Sequence, residues 1–239
     1  MATPAPDRVV PGWMAGAIGR ALYRRLAAVA PTVRVLGAEG ARARFAAARD
    51  MAPNRRVFLY YWIEDAVPLM LYALRDDGIV DGRLRFVCDD TLGGRVVAEA
   101  VARLGHEQQP LRLTNQALRV RDVQSLILEG SAIGIAADGR GPYRFVSAEM
   151  ARLVRRCEAV ALPLAVQADR SFRLWARATV FLPRANARLA VAAGEPVAAS
   201  PDGRDLRSRL QEGLAGAGAL AREQLASGNP ERLATASGS

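Results

Sequence analysis

The sequence predicts an α/β fold: a single domain with a largely parallel central sheet, a mixed edge and flanking helices. Three observations carry this. Short runs of apolar, β-branched and aromatic residues alternate with helical patterns of roughly 10 to 15 residues, as βαβ units require. The run "RRVFLYYWI" (55–63) reads as a buried strand, rich in the side chains that suit a pleated core. Finally, the last three strand patterns follow one another without long helices between them, which predicts a mixed sheet edge.

The elements follow in order. Residues 1–10 read as a loose tail. From Pro11 to Ala30 the pattern is helical, with Trp13, Met14, Ala17, Ile18, Ala21, Leu22, Leu26 and Val29 forming an apolar stripe. Arg20, Arg24 and Arg25 lie largely off it, so this is a basic amphipathic helix. Two readings fit: a helix packed on the domain, or a helix lying on a membrane surface. Residues 32–37 form a short strand, 39–51 a helix, 55–63 the buried strand, and 64–78 a helix with Pro68 near its first turn. A strand at 84–88 precedes a helix at 91–105, closed by Gly105; a further helix over 115–130 is closed by Gly130. Then come a strand at 131–137 and a helix at 147–157, with Ser147 as its N-cap. Strands at 159–168, 171–181 and 187–194 complete the sheet. Beyond about Ala198 the composition shifts to Ala, Gly, Ser and Arg, which reads as a marginal helix over 203–226 and a tail over 227–239.

Composition narrows the function. Hydrophobic residues make up 51% of the 239 positions and charged residues 24%, enough apolar material for a core. All 33 basic residues are arginine, the net charge is +9, and an anionic partner is expected. Arginine also grips phosphate or carboxylate through two parallel N–H bonds. The arginines are spread evenly and no nucleic-acid-binding module is visible, so nucleic acid is not the expected partner. No run approaches the roughly 18 to 20 apolar residues of a membrane span. Arg20, Arg24 and Arg25 interrupt any signal-peptide core. Cys88 and Cys157 lack metal-ligand spacing and read as reduced structural thiols, as in a cytosolic protein. No bound cofactor or metal is expected, because no Walker A loop, nucleophile elbow, dinucleotide fingerprint or zinc spacing occurs.

One stretch combines unusual residues: "IGIAADGRGPYRF", 133–145. An apolar strand stops at Asp138, followed by Gly139, Arg140, Gly141 and, after two residues, Arg144. Ligands of open α/β sheets gather beyond the carboxyl ends of the strands. Glycines let a ligand approach the backbone, arginines fork onto phosphate oxygens, and the helix starting near Ser147 turns its N–H groups the same way. An ordinary turn uses the same residue types.

The order of segments resembles the glycerophosphate/lysophospholipid acyltransferase superfamily, specifically a bacterial branch catalogued as a domain of unknown function. That branch has a strand ending in Trp-His, then a helix. It later has a strand ending in Asp-Gly-Pro-Arg-Gly-Pro, a helix and an apolar strand. The counterparts here are "FLYYWIEDAVPLML" (58–71), "IGIAADGRGPYRFVSAEMARLV" (133–154) and "AVALPLAVQAD" (159–169), with "LGGRVVAEAVARLGHE" (92–107) between the motifs and "GEPV" (194–197) closing the match. The resemblance spans about residues 30–198. It implies an acyltransferase-like domain over 31–198, which the residue pattern flanks with a tail and basic helix over 1–30 and a C-terminal helix and tail over 199–239. The second motif is one residue short: the family's first Pro is missing between Gly139 and Arg140.

What the resemblance implies is acyl transfer to a lipid hydroxyl, from acyl-CoA or acyl-carrier-protein, at the cytoplasmic face of the inner membrane. The partners would be a lysophospholipid or another anionic lipid, with residues 11–30 on the membrane surface. Asp138, Gly139, Arg140, Gly141 and Arg144 would bind phosphate, and Trp62 and Ile63 would line the pocket. The family's base is the His after the Trp, and here Ile63 stands in its place. Glu64 and Asp65 follow and are the remaining catalytic candidates, since burial raises a carboxylate's pKa toward that of a useful base. The chain's one His, His106, reads as a loop residue. Asp89 and Asp90 read as a polar turn, and Arg119, Arg121, Asp122, Arg155 and Arg156 as solvated helix faces. The second reading is a non-catalytic lipid- or anion-binding pseudoenzyme or scaffold.

Overall fold

The computed structural model describes residues 12–52, 57–75, 84–88, 92–104, 107–110, 132–138, 144–173, 181–199 and 205–227. In chain order these form α1 (Gly12–Val29), β1 (Arg34–Leu36), α2 (Ala38–Met51), β2 (Val57–Tyr61), α3 (Ala66–Arg75), β3 (Leu84–Cys88), α4 (Leu92–Arg103) and β4 (Glu107–Pro110). There follow β5 (Ala132–Ala136), α5 (Ala148–Arg156), β6 (Val160–Ala168), β7 (Ser171–Arg173), β8 (Phe181–Pro183), β9 (Arg188–Ala193), β10 (Val197–Ala198) and α6 (Leu206–Ser227). Single 3₁₀ turns, Ala30–Thr32 and Ile63–Asp65, precede β1 and α3.

The main sheet runs β1-β9-β6-β2-β5-β3-β4, with β10 pairing β6. From β6 to β4 every pairing is parallel, while β9 is antiparallel to β6 and β1 is parallel to β9. This is the largely parallel sheet with a mixed edge that the strand–helix alternation predicts. On β6, Leu164 pairs Ala193 whereas Ala161 pairs Val197, so the β9–β10 side carries one extra residue, a bulge between Gly194 and Val197.

Period-two alternation splits the core into two layers. Val57, Leu59 and Tyr61 of β2 face the cluster built with α1, α2, α3 and α4. Phe58, Tyr60 and Trp62 face the other way, into the cluster of α5 and α6. β6 divides likewise, with Leu162, Leu164 and Val166 on the first side and Ala161 and Ala165 on the second. Small residues dominate the β6–β9–α6 contact, where Ala165, Ala190, Ala192, Ala217 and Ala221 let the helix lie close to the sheet.

Local signals place the ends as expected. The Ser147 Oγ accepts the Met150 N–H at 3.2 Å, capping α5, and Glu149 in the first turn with Arg155 and Arg156 in the last suits the helix dipole. Gly37 precedes α2 at φ +78°, where a Cβ would meet the Gln224 side chain at 2.4 Å and the Val191 carbonyl at 2.5 Å. Only glycine fits there.

Three expectations are corrected. The single strand expected over 171–181 is instead β7 and β8, which pair antiparallel in a sheet of their own. Its length suggested one strand, but the register Phe172↔Leu182 folds the segment back on itself. β4 lies in what reads as a loop, "EQQP", because an edge strand takes its conformation from the neighbour it pairs with and needs no apolar alternation of its own. The expected marginal C-terminal helix is α6, 22 residues long, with Leu206, Leu210, Leu214, Ala217, Gly218 and Ala221 buried. The expected helix over 115–130 and the tails over 1–10 and 228–239 lie outside the described residues.

The amphipathic helix α1 packs on α4. Gly19 makes the closest approach: a Cβ there would stand 2.6 Å from the Glu99 Cβ. Ala15, Leu26 and Val29 are buried with it. Trp13 and Ala17, members of the apolar stripe read from the sequence, share the outward face with Arg20 and Arg24; Trp13 is 72% exposed. Among the described residues no helix is long and apolar enough to cross a membrane.

Candidate functional site

β2 and β5 are adjacent and parallel, with Tyr61 opposite Ala136. Their carboxyl ends therefore emerge side by side and bring together two segments about 75 residues apart in sequence. The Ala137 N–H donates to the Tyr61 carbonyl at 2.8 Å, and the Ser147 N–H donates to the Ala137 carbonyl at 3.0 Å.

Asp138 ties these segments. It is buried; its Oδ1 accepts the Ile63 N–H at 2.9 Å and its Oδ2 accepts the Arg144 N–H at 3.3 Å. Burial raises its pKa, and the amides of Ile63, Asp138 itself and Arg144 oppose that rise. Asp138 thus caps the start of the Ile63–Asp65 turn and clamps the returning chain.

Arg144 stands at φ 54°, a conformation that costs a non-glycine residue on the order of 1 kcal/mol. Contacts on both sides hold it there. The Gln211 side chain donates to the Arg144 carbonyl and accepts the Val146 N–H, each at 2.9 Å. The Arg207 Nε donates to the Val146 carbonyl at 2.8 Å, and its guanidinium lies 4.1 Å from the Phe145 ring centroid. Both residues belong to α6, four apart on one helix face. Sequence reading missed them, because their spacing marks a shared face without saying what it touches.

The Arg144 side chain reaches back across the strand ends. Its Nε and Nη2 meet the Glu64 Oε1 at 2.7 Å and 2.6 Å. The Glu64 side chain is 3% exposed and that of Arg144 47%. A buried carboxylate therefore holds one edge of a half-exposed guanidinium, the geometry of an anion clamp with an internal anion.

Asp65 differs from its neighbour. It is buried, its N–H donates to the Trp62 carbonyl at 2.9 Å, and its carboxyl accepts the Val166 N–H of β6. Its Oδ2 has no hydrogen-bond partner among the described residues. Burial pushes its pKa well above the usual carboxylate range and the Glu64 charge adds to this, with Arg144 opposing. Of two consecutive acids, Glu64 is paired with a cation and Asp65 is held toward the neutral form. Beneath them the buried Tyr61 phenol is pushed up by burial and by Cys88, Asp138 and Asp65.

Of the expected pocket residues, Trp62 is buried in the cluster under α5 and α6, and Ile63 is half-buried with its backbone N–H on Asp138. Gly139, Arg140 and Gly141 lie outside the described residues, as do His106, Asp89, Asp90, Arg119, Arg121 and Asp122. Arg155 and Arg156 are exposed on α5. Cys88 and Cys157 are buried and not joined in a disulfide, and among the described residues no cluster of three or more His, Cys, Asp or Glu could hold a metal ion.

No protein-family model matches the chain, and no curated protein matches it in sequence. It is similar in structure to the 1-acyl-sn-glycerophosphate (LPA) acyltransferase PlsC from Thermotoga maritima, with a TM-score of 0.44 and 16% identity over 88% of this chain and 79% of that one.

Proposed function

We propose that this chain is a lysophospholipid-acyltransferase-like protein of lipid metabolism. Its strand-end site would hold the phosphate of a lysophospholipid or another anionic lipid at the cytoplasmic face of the inner membrane. The observation that carries this reading is the half-exposed Arg144 guanidinium, held by buried Glu64, on a backbone that buried Asp138 clamps at the carboxyl ends of β2 and β5. The motif order read from the sequence supports it, and Gly139, Arg140 and Gly141 would complete the clamp. The outward face of α1, with Trp13, Arg20 and Arg24, fits a membrane surface as a second contact.

Acyl transfer needs a group that takes the proton from the attacking hydroxyl while the thioester carbonyl of acyl-CoA or acyl-carrier-protein is opened and the thiol leaves. Ile63 offers no such group. The Glu64 carboxylate is taken up by the Arg144 guanidinium, at 2.6 Å, rather than turned toward a hydroxyl. Asp65 is the remaining candidate, and burial holds it toward its neutral form. Turnover through Asp65 would be slow and would climb as pH rises toward its folded pKa. Stability would fall over the same window, because the unfolded chain ionises first. Asp65→Asn removes both dependences.

A second reading is a pseudoenzyme that binds the lipid without reacting it, favoured by Ile63 and by the engagement of Glu64 with Arg144. Labelled acyl donor and lysophospholipid separate the two. Turnover lost in Asp65→Asn supports the enzyme. Lysophospholipid binding lost in Arg144→Ala, with no turnover at any pH, supports the binder. If neither binding nor turnover is measurable, both readings fail.

A further inference from the structure

β6 is longer than its parallel neighbour. Pairing with β2 covers Val160–Pro163, and β6 continues to Ala168. Val166 meets Asp65, so Asp169 stands about 10 Å farther along the strand at roughly 3.3 Å per residue. The β7–β8 ribbon begins there, at the end of the sheet where Glu64, Asp138 and Arg144 meet.

The base of the ribbon is firmly tied. The Asp169 carboxylate accepts the Arg188 N–H at 2.8 Å and the Arg188 Nε at 2.9 Å. The Arg184 N–H donates to the Arg170 carbonyl at 3.0 Å, and the Arg170 guanidinium donates to the Asn186 carbonyl. The Asn186 N–H donates to the Thr32 Oγ1 at 2.9 Å. On this base stands Phe172, 44% exposed, with the Arg184 guanidinium 4.0 Å from its ring centroid. Arg170, Arg173 and Arg184 are exposed, and Arg34 is exposed beside Arg188 in the β1–β9 register. Between Asp169 and Ala190 the sequence has five arginines and one acid.

The same arrangement recurs nearby. Phe145, next to Arg144, is 45% exposed and lies under Arg207. Both exposed phenylalanines among the described residues therefore sit at the carboxyl end of the parallel strands, each beside an arginine.

We propose that the two phenylalanine–arginine pairs, Phe172–Arg184 and Phe145–Arg207, with Arg170 and Arg173, form a docking surface for an anionic lipid bilayer. The positive charge complements anionic headgroups, and an exposed ring beside a guanidinium suits the boundary between headgroup and acyl chain. Two isolated rings on separate segments do not make the row of stacking platforms that a nucleic acid uses. The proposal rests on the lipid reading of the strand-end site and adds to it: docking there sets the mouth of the site against the membrane, independently of α1.

The test is vesicle co-sedimentation of the full chain, without lysophospholipid, on neutral phosphatidylcholine and on phosphatidylcholine mixed with phosphatidylglycerol. Binding is expected only with the anionic lipid. Removing one arginine, as in Arg173→Ala, should weaken it about fivefold. Phe172→Ser should weaken it with the melting temperature unchanged. Arg155→Glu, at the opposite end of the sheet, should weaken it less than Arg173→Glu. Equal losses in those two charge reversals would overturn the proposal. So would wild-type binding to duplex DNA or to an acidic carrier protein that needs Phe172 and Arg173 while anionic vesicles are ignored. Binding of a short-chain lysophospholipid as monomer reports on the strand-end site alone. Its loss with vesicle binding intact sinks the site reading, and the converse sinks only the docking surface.

Discussion

The two terminal helices, α1 and α6, reverse the order of importance that their compositions suggest. α1 carries the stronger apolar signal, with a Trp, an Ile, a Met and three leucine or valine residues. Yet it packs on the rim through Gly19, Leu26 and Val29 and leaves Trp13 in solvent. α6 has leucine as its one kind of large apolar residue, five among 22 positions, and is otherwise rich in Ala and Gly. It nevertheless lies across the sheet, buries six residues from Leu206 to Ala221, and sends Gln211 and Arg207 to the chain that carries Arg144. The difference shows that a helix's place is set by the spacing and size of its contact residues. In α6, Leu206, Leu210 and Leu214 fill the layer shared with α5, while Ala217 and Ala221 let the helix lie close to β6 and β9.

The sharpest way to break this comparison is a core deletion in each helix. Leu210→Ala in α6 is expected to cost about 2 to 5 kcal/mol, because the site is fully buried between sheet and helix. Trp13→Ala in α1 removes a larger side chain at an expected cost of about 0.5 kcal/mol or less. Paired denaturant titrations decide it, and a larger loss for Trp13→Ala would reverse the assignment. Next in size is Gly19→Ala. The new methyl meets Glu99 and the Val96 carbonyl, so a loss of about 1 to 3 kcal/mol is expected, where an exposed helical glycine would gain from the change. If Gly19→Ala stabilises the protein in thermal melts, α1 is not docked closely on α4.

Gln211→Ala sharpens the other half of the comparison. It strips one partner from the Arg144 carbonyl and from the Val146 N–H, and about 1 to 3 kcal/mol of stability should go with them. Under the proposed function it also loosens the guanidinium, so lysophospholipid binding should weaken by more than the same substitution at exposed Glu212 produces. Calorimetric titration of both variants measures this. The smallest expected effect is pH-linked: Asp65→Asn should flatten the loss of stability as pH rises through and above the ordinary carboxylate range. Melts across that window check the sign.

Much of the fold was legible because its signals are local. The 55–63 run, the Ser147 cap and the alternation of periods each act within a few residues, and apart from β4 and the β7–β8 pair most described elements appear within two or three positions of their expected ends. Asp138 was legible as a strand-end acid, though its role turned out to be a clamp on two backbone amides, Ile63 and Arg144. Glu64 and Asp65 were legible as candidates but not as opposites, because neighbouring side chains on a turn diverge and meet different partners. Glu64 finds Arg144, 80 residues away. Asp65 finds β6, which runs past the end of β2.

By itself, then, the sequence determined the α/β class, the order and most of the bounds of the elements, and the strand end at which charged residues collect. Periodicity, caps and breakers are properties of the chain over a turn or a strand, and they survive whatever the rest of the molecule does. Only the tertiary structure decided that the arginine clamp faces an internal carboxylate, that Asp65 is held toward its neutral form, and that a small-residue C-terminal helix supports the site. Those outcomes depend on which groups the parallel pairing of β2, β5 and β6 places side by side, and on the water that packing removes from around them.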